Sequence, residues 1–184
     1  MRDLPLIYCK RIILRPFDPS DAADYSAWLQ DEYLRRMVGE SRLAPSEVVE
    51  KQEVWARDDK MVEYIIANKA SGRPIGDISV KLKDGRPKFG LMIGDQRYRR
   101  GGYGTEAAEC LMSYSRGVLG MQELYAEIFP FNTKSIFFHE KLKFSKVGTS
   151  VDDKNRDCVV YYRNLWGLPT CTNCIRSPRC LSST

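Results

Sequence analysis

No stretch of this chain approaches the ~20 apolar residues that a membrane-spanning helix needs. The opening Met-Arg-Asp-Leu-Pro-Leu-Ile-Tyr lacks the apolar core of a signal peptide, so a cytoplasmic protein without a membrane partner is expected. Histidine is nearly absent: His139 is the single one in 184 residues. Cys171-x-x-Cys174 with Cys180 supplies at most three thiolates, and no histidine lies near to complete a zinc site, so no metal is expected. Cys9, Cys110 and Cys158 fall in or beside predicted elements and read as small buried hydrophobes. Charge is not extreme either. The net +5 suits an anionic ligand but is short of a nucleic-acid footprint. No internal repeat or low-complexity block interrupts the chain. What remains, at 43% hydrophobic and 29% charged residues, is an ordinary globular domain.

The most informative stretch is Ile93-Gly-Asp-Gln-Arg-Tyr-Arg-Arg-Gly-Gly-Tyr-Gly-Thr-Glu-Ala-Ala108. An apolar run from Phe89 to Ile93 predicts a strand, Arg97 to Gly104 a basic glycine-rich turn, and the following periodicity a helix to about Gly117. A helix N-terminus after a glycine turn binds anions, because its first N–H groups lack intrahelical partners and the helix dipole is positive there. Glycines 101, 102 and 104 let backbone approach a phosphate closely. The arginines at 97, 99 and 100 add guanidinium groups suited to phosphate. The spacing excludes a P-loop, which needs Lys-Ser or Lys-Thr after the glycines, and it departs from the dinucleotide G-x-G-x-x-G. A glycine turn that merely caps an ordinary helix is the plainer alternative.

Arg99-Arg-Gly-Gly102-Tyr-Gly104 resembles the [RQ]-x-x-G-x-[GA] signature of the GNAT acetyltransferases. Two further segments carry the resemblance. Arg11-Ile-Ile-Leu-Arg-Pro-Phe with Trp28-Leu-x-Asp31 is similar to the opening of the branch containing ribosomal-protein and amino-sugar acetyltransferases, although Trp28 reads equally as core. Asn132 to Phe144 resembles N-x-x-[AS]-I-x-L-Y-E-K-L-G-F, with His139 in place of the family's Tyr and Lys143 in place of its Gly. The resemblance implies an α+β fold: a mixed, mostly antiparallel sheet of about seven strands with about four helices, splayed between two central parallel strands. A domain over residues 1–168 and a mobile tail over 169–184 are expected.

The elements read from the residues agree. Arg11–Pro16 predicts a strand, and Asp18-Pro-Ser-Asp21 a helix start with Asp18 as N-cap. Ala22, Tyr25, Trp28 and Leu29 recur at helical spacing. Ser46–Trp55 reads as a short helix; Val62–Ala67, Ile75–Leu82 and Lys88–Ile93 form a meander, the last turn at Asp84-Gly85. Ala107, Ala108, Leu111, Tyr114 and Val118 predict a buried helical stripe, and Glu123–Phe129 a strand parallel to the one before the helix. Asn132 is a predicted N-cap; Phe144–Val151 and Cys158–Leu165 are predicted as a last strand pair.

The resemblance implies acetyl-CoA as co-substrate and direct attack by an amine. Arg99, Arg100, Gly101, Gly102, Tyr103, Gly104 and Thr105 would hold its pyrophosphate. Leu91, Met92 and Ile93 would offer backbone N–H groups to the pantetheine arm and thioester, with Asn132 and Ser135 alongside. His139 is the candidate acid for the leaving thiolate, the alternative being an exposed helix residue. Lys88 stands where many relatives carry a Glu, so the candidate base is Glu127, with Asp77 or a water chain as alternatives. The acceptor, a protein N-terminus or a small amine such as an amino sugar, would be set by Trp28–Trp55 and by the hairpin near 150–158. Monomer or homodimer both remain open. Two other readings are a CoA-sensing member without catalysis, and a nucleic-acid patch at Arg97–Arg100, too small a cluster for that purpose.

Overall fold

The computed structural model describes residues 4–169 and 175–176. Its elements, in chain order, begin with β1 (Leu6–Tyr8), β2 (Ile12–Arg15), α1 (Ala22–Trp28), α2 (Glu32–Val38) and α3 (Pro45–Arg57). The meander β3 (Met61–Asn68), β4 (Pro74–Lys83) and β5 (Arg86–Ile93) follows. Then come α4 (Tyr103–Gly117), β6 (Glu123–Ile128), α5 (Thr133–Lys141), β7 (Ser145–Val151), β8 (Asp157–Asn164) and the two-residue β9 (Ile175–Arg176). One sheet takes the order β7-β8-β6-β5-β4-β3-β2-β1-β9. Every pairing is antiparallel except β5 with β6. The strands thus exceed the expected seven by the short edge strands β1 and β9, and α2 is the helix beyond the expected four.

Local chemistry explains most boundaries. Asp18 and Asp21 form a capping box around Pro19, and Arg15 donates to both Asp21 oxygens at 2.6 and 2.7 Å. The Asp84-Gly85 turn has φ of 51° and 74°, the left-handed pair that a tight hairpin needs. Ala107, Ala108, Leu111 and Tyr114 are buried as the stripe predicted, but α4 ends at Gly117 and Val118 is 50% exposed. Lys143, where the family pattern has glycine, takes φ 66° itself; its N–H donates to Glu140 O at 2.8 Å. Left-handed backbone costs a non-glycine residue about 1 kcal/mol.

Helices cover both faces of the sheet. On one, α4 packs on Tyr64, Ile66, Ile78, Val80 and Phe89; on the other, Tyr25, Trp28 and Leu29 of the α1 region pack on Ile65 and Met92. Trp28 is core, as its helical spacing allowed. Its ring lies where a Cβ on Gly94 would stand, 2.1 Å away, so only glycine fits at the end of β5. Cys9 and Cys110 are not merely buried hydrophobes. They are disulfide-bonded, with Cα atoms 6.4 Å apart, while Cys158 is a free buried thiol. Of the predicted tail, Ile175–Arg176 pairs with β1, and Cys171, Cys174 and Cys180 lie outside the described residues.

Candidate active site

The centre of the site is a break in the sheet. β5 and β6 are paired in parallel at Lys88–Tyr125 and at no residue beyond it, so the strands diverge from there onward. The backbone of Gly90–Ile93 still bonds to β4 on its other edge. The expected splay is therefore present, with the edge of Leu91, Met92 and Ile93 turned to the gap. Two clefts meet there. One, of about 310 Å³, runs from the glycine loop to α5; the other, of about 330 Å³, opens on the face carrying α1 and α3. Leu91, Met92, Asn132, Ser135 and His139 line both.

The loop-side cleft assembles most of the expected cofactor residues. Gly102 is the N-cap of α4 in the left-handed conformation, φ 80°, and no side chain caps that helix. Gly102, Gly104, Thr105, Arg99 and Arg100 all line the cleft. The loop carbonyl is steadied from below: Arg11 donates to Gly101 O at 2.9 Å, pairs with Glu106, and lies 4.2 Å over the Tyr103 ring. Tyr98 meets the same ring edge-on, with centroids 5.2 Å apart, and neither Tyr103 nor Gly101 lines the cleft. Arg99 differs from expectation. Its guanidinium donates to Ile93 O at 2.9 Å, Gly94 O at 2.7 Å and Asp31 at 3.0 Å, so it clamps the end of β5 instead of offering a free fork to phosphate. Arg97 is likewise paired with Asp95. Arg100 is exposed at the mouth, where Lys134, not foreseen from sequence, also stands.

Asn132 caps α5, accepting from the Ser135 N–H at 3.1 Å, and its amide donates to Met37 O at 3.1 Å. The side chain therefore ties α5 to α2. His139 is in the site but not in the form expected of an acid. It is 6% exposed, edge-on to Phe89, Phe138 and Phe144, and burial pushes its pKa below the usual histidine range. Nδ1 lies 2.8 Å from Ser135 O and must donate to it, which leaves Nε2 as a buried acceptor without a partner. Burial thus favours the neutral imidazole, whose one N–H is committed to Ser135 O.

The second cleft is acidic. Glu127 lines it, with its Oε1 accepting from Lys88 Nζ and from Ser150 Oγ. Asp77 lines the same cleft, accepting from the Tyr25 hydroxyl at 2.9 Å; burial raises its pKa from 3.8 to about 6. Glu63, beside it, is raised well above the carboxylate range, again chiefly by burial and then by Asp77. Sequence reasoning missed Glu63, although a lone acid inside the apolar run 61–68 was the available signal. The two segments expected to shape the acceptor do form the rims: Glu40 and Trp55 on one side, Asp152 and Arg156 on the other. They are joined. Lys154 Nζ donates to Gly39 O at 3.0 Å, with the Arg156 guanidinium 3.4 Å from the same oxygen. Outside this clasp a groove floored by Phe129, Pro130 and Phe131 continues the cleft. Among the described residues there is no cluster able to hold a metal, and no helix long and apolar enough to cross a membrane.

Comparisons with known proteins place this geometry. The model of the acetyltransferase (GNAT) domain matches residues 11–145. The chain is 31% identical over 155 residues to alpha/beta-tubulin-N-acetyltransferase 9 of Mus musculus, spanning 77% of this chain and 64% of that protein. It is 27% identical over 157 residues to an N-acetyltransferase 9-like protein of Caenorhabditis briggsae, spanning 78% and 79%. A GNAT-family acetyltransferase from Bacillus anthracis superposes with a TM-score of 0.76 at 17% identity, covering 87% of this chain and 98% of that one. Spermidine N-acetyltransferase from Vibrio cholerae, solved with CoA and spermine, gives 0.72 at 15%, covering 84% and 96%. These two show likeness of fold. With the family model spanning well over half its length, the chain belongs to the GNAT acetyltransferases.

Proposed function

We propose that this chain transfers the acetyl group of acetyl-CoA to a primary amine presented as a cation, with a protein N-terminus as the acceptor. The observation that carries the reading is the parting of β5 from β6 after Lys88–Tyr125, with a loop-side cleft and an acidic cleft meeting at the opening. The residues present fit the co-substrate. The uncapped N–H groups of α4 behind Gly102 suit its pyrophosphate, with Arg100 and Lys134 near. The free edge of Gly90–Ile93 suits an extended pantetheine arm, taken up as an added strand. A backbone N–H there would polarise the thioester carbonyl and stabilise the oxyanion that forms on attack.

The acceptor side suits an ammonium group: Glu40, Glu63, Asp77, Glu127 and Asp152 outnumber the basic residues lining the same cleft. Two features support a polypeptide acceptor. The Phe129–Phe131 groove, with Arg36 stacked 5.1 Å over Phe131, gives room for residues beyond the amine. The mouse relative is named for tubulin N-acetylation. The leaving thiol, with a pKa near ~8.5, departs close to ambient pH and takes up the proton that the attacking nitrogen must lose, so no protonated His139 is required.

The test is thiol release from acetyl-CoA with purified α/β-tubulin, short peptides with free or blocked N-termini, spermidine and an aminoglycoside. Transfer is expected to substrates with a free α-amine and to none of the blocked peptides. Gly102→Glu puts a carboxylate at the anion site and is expected to abolish the rise in melting temperature that acetyl-CoA gives the folded chain. An unchanged rise in that variant refutes the loop as the anchor.

A further inference from the structure

Glu63 and Asp77 are brought together by strand register. Glu63 stands opposite Ser79 and Ser79 opposite Gly90; Asp77 stands opposite Ile65 and Met92. Opposed residues of antiparallel strands share a face, as do residues two apart on one strand. Both carboxyls therefore lie on the acidic-cleft face, Asp77 on the strand next to the Gly90–Met92 segment where β5 has left β6 and Glu63 one strand farther. They stand diagonally across the β3–β4 pair, and the charge of Asp77 pushes Glu63 further up. Two carboxyls so placed in one cleft do not ionise together easily, so one keeps its proton.

The groups around the pair leave this proton unchallenged. From α1 the Tyr25 hydroxyl donates to Asp77 Oδ2 at 2.9 Å, and from α3 Gln52 Nε2 reaches Glu63 Oε1 at 3.4 Å. Glu63 Oε2 is sealed from solvent with no donor aimed at it. Lys51 of α3 draws both carboxyls down, but it is tied at 2.7 Å to Glu40, whose charge pushes Asp77 up. Across the gap Glu127 is held by Lys88, and His139 lines the same cleft with its Nε2 buried and partnerless.

We propose that the Asp77–Glu63 pair, holding one proton between its two carboxyls at rest, is the base that deprotonates the acceptor ammonium. This rests on the acetyltransferase reading above. The ammonium gives one proton to the pair, which passes from singly to doubly protonated. The freed nitrogen lone pair forms the C–N bond at the thioester carbonyl, and the carbonyl electrons move to oxygen. Collapse breaks the C–S bond, the nitrogen's second proton goes to the departing sulfur, and the pair returns its extra proton to bulk water. The sum is acetyl-CoA and R–NH3⁺ to acetamide, CoA thiol and H⁺. Burial holds Asp77 near the pH at which a general base works best.

The test is kcat/KM for a short peptide with a free α-amine from pH 5 to 9, for the native chain, Asp77→Asn and Glu63→Gln. The native profile is expected to be bell-shaped, falling on the acid side near pH 6 as Asp77 protonates and on the alkaline side as the ammonium is lost. Asp77→Asn is expected to lower the rate at neutral pH by about 100-fold or more and to leave a profile that only rises, tracking free amine in solution. Glu63→Gln replaces the carboxylic acid that donates to ionised Asp77 by a weaker amide donor, and its acid limb is expected to move up. Acetyl-CoA should raise the melting temperature of all three. Native activity with the same acid limb in both variants overturns the assignment alone. Should Asp77→Asn not fold, the limb of Glu63→Gln decides. A native chain that binds acetyl-CoA yet acetylates no free-amine substrate overturns the enzyme reading, and this assignment with it.

Discussion

Asp77→Asn should make the protein more stable at neutral pH. The folded state raises the Asp77 pKa from 3.8 to about 6, mainly through burial. A carboxyl raised in this way favours the fold while protonated, and that contribution is lost as pH climbs through the folded-state value. Two pKa units correspond to about 3 kcal/mol at 1.36 kcal/mol per unit, developing between about pH 4 and pH 7. Asparagine is isosteric, has no such term, and keeps an oxygen to accept from Tyr25. Groups held low in the fold by ion pairs, such as Asp152 at about 2 beside Arg156, are the same in both chains and cancel in the difference. Urea unfolding at intervals from pH 4 to 8 is the assay. With a slope of about 2 kcal/mol per molar urea, the variant's midpoint should gain roughly 1.5 M on the native chain across that range. Parallel curves, or a variant weaker at pH 7 than at pH 4 by comparison, would refute the reasoning. The stability given up at neutral pH is what a buried base near the gap costs the fold.

Three further outcomes follow from the same contacts. Arg99→Ala should destabilise by about 3 kcal/mol, because the Ile93 and Gly94 carbonyls lose a charged donor; Arg99→Lys, without the planar fork, should recover less than half of that in urea titrations. Gly94→Ala should cost about 3 kcal/mol and blunt acetyl-CoA binding in thermal shift, since its Cβ would meet Trp28 at 2.1 Å; Trp28→Phe in the same chain should recover part of the loss. Lys154→Ala with Arg156→Ala should raise the acceptor KM several-fold while leaving the acetyl-CoA thermal shift intact, because both act only at the acidic-cleft rim.

What could be read from the chain depended on whether a residue acts through its backbone or through competition among side chains. The glycine loop, the α5 cap at Asn132 and the β5–β6 parallel pair follow from local spacing, and each stands where the residues implied. Arg99 was misread because residue type says that a guanidinium is present but not that two carbonyls and Asp31 have already taken it. His139 lines the cleft, but its burial was not legible, since it is completed by Phe89 from β5, far off in sequence, together with Phe138 and Phe144 nearby. The helix α2 gave no pattern to read, with Leu34 as its one buried residue. Glu63 and Asp77 are 14 positions apart and meet only through the β3–β4 register, which no single segment reveals.

The clasp at Gly39 has a practical consequence. Its acceptor is a main-chain oxygen, and a side chain grafted onto that glycine would run into Arg156 Nη2 at 2.6 Å, on a backbone with φ 76°. A mutational scan would therefore register Gly39 as a steric lesion and miss that its carbonyl fastens one bank of the acceptor channel to the other. The fastening itself becomes visible only from the far bank, at Lys154 and Arg156, as altered substrate preference with the fold intact.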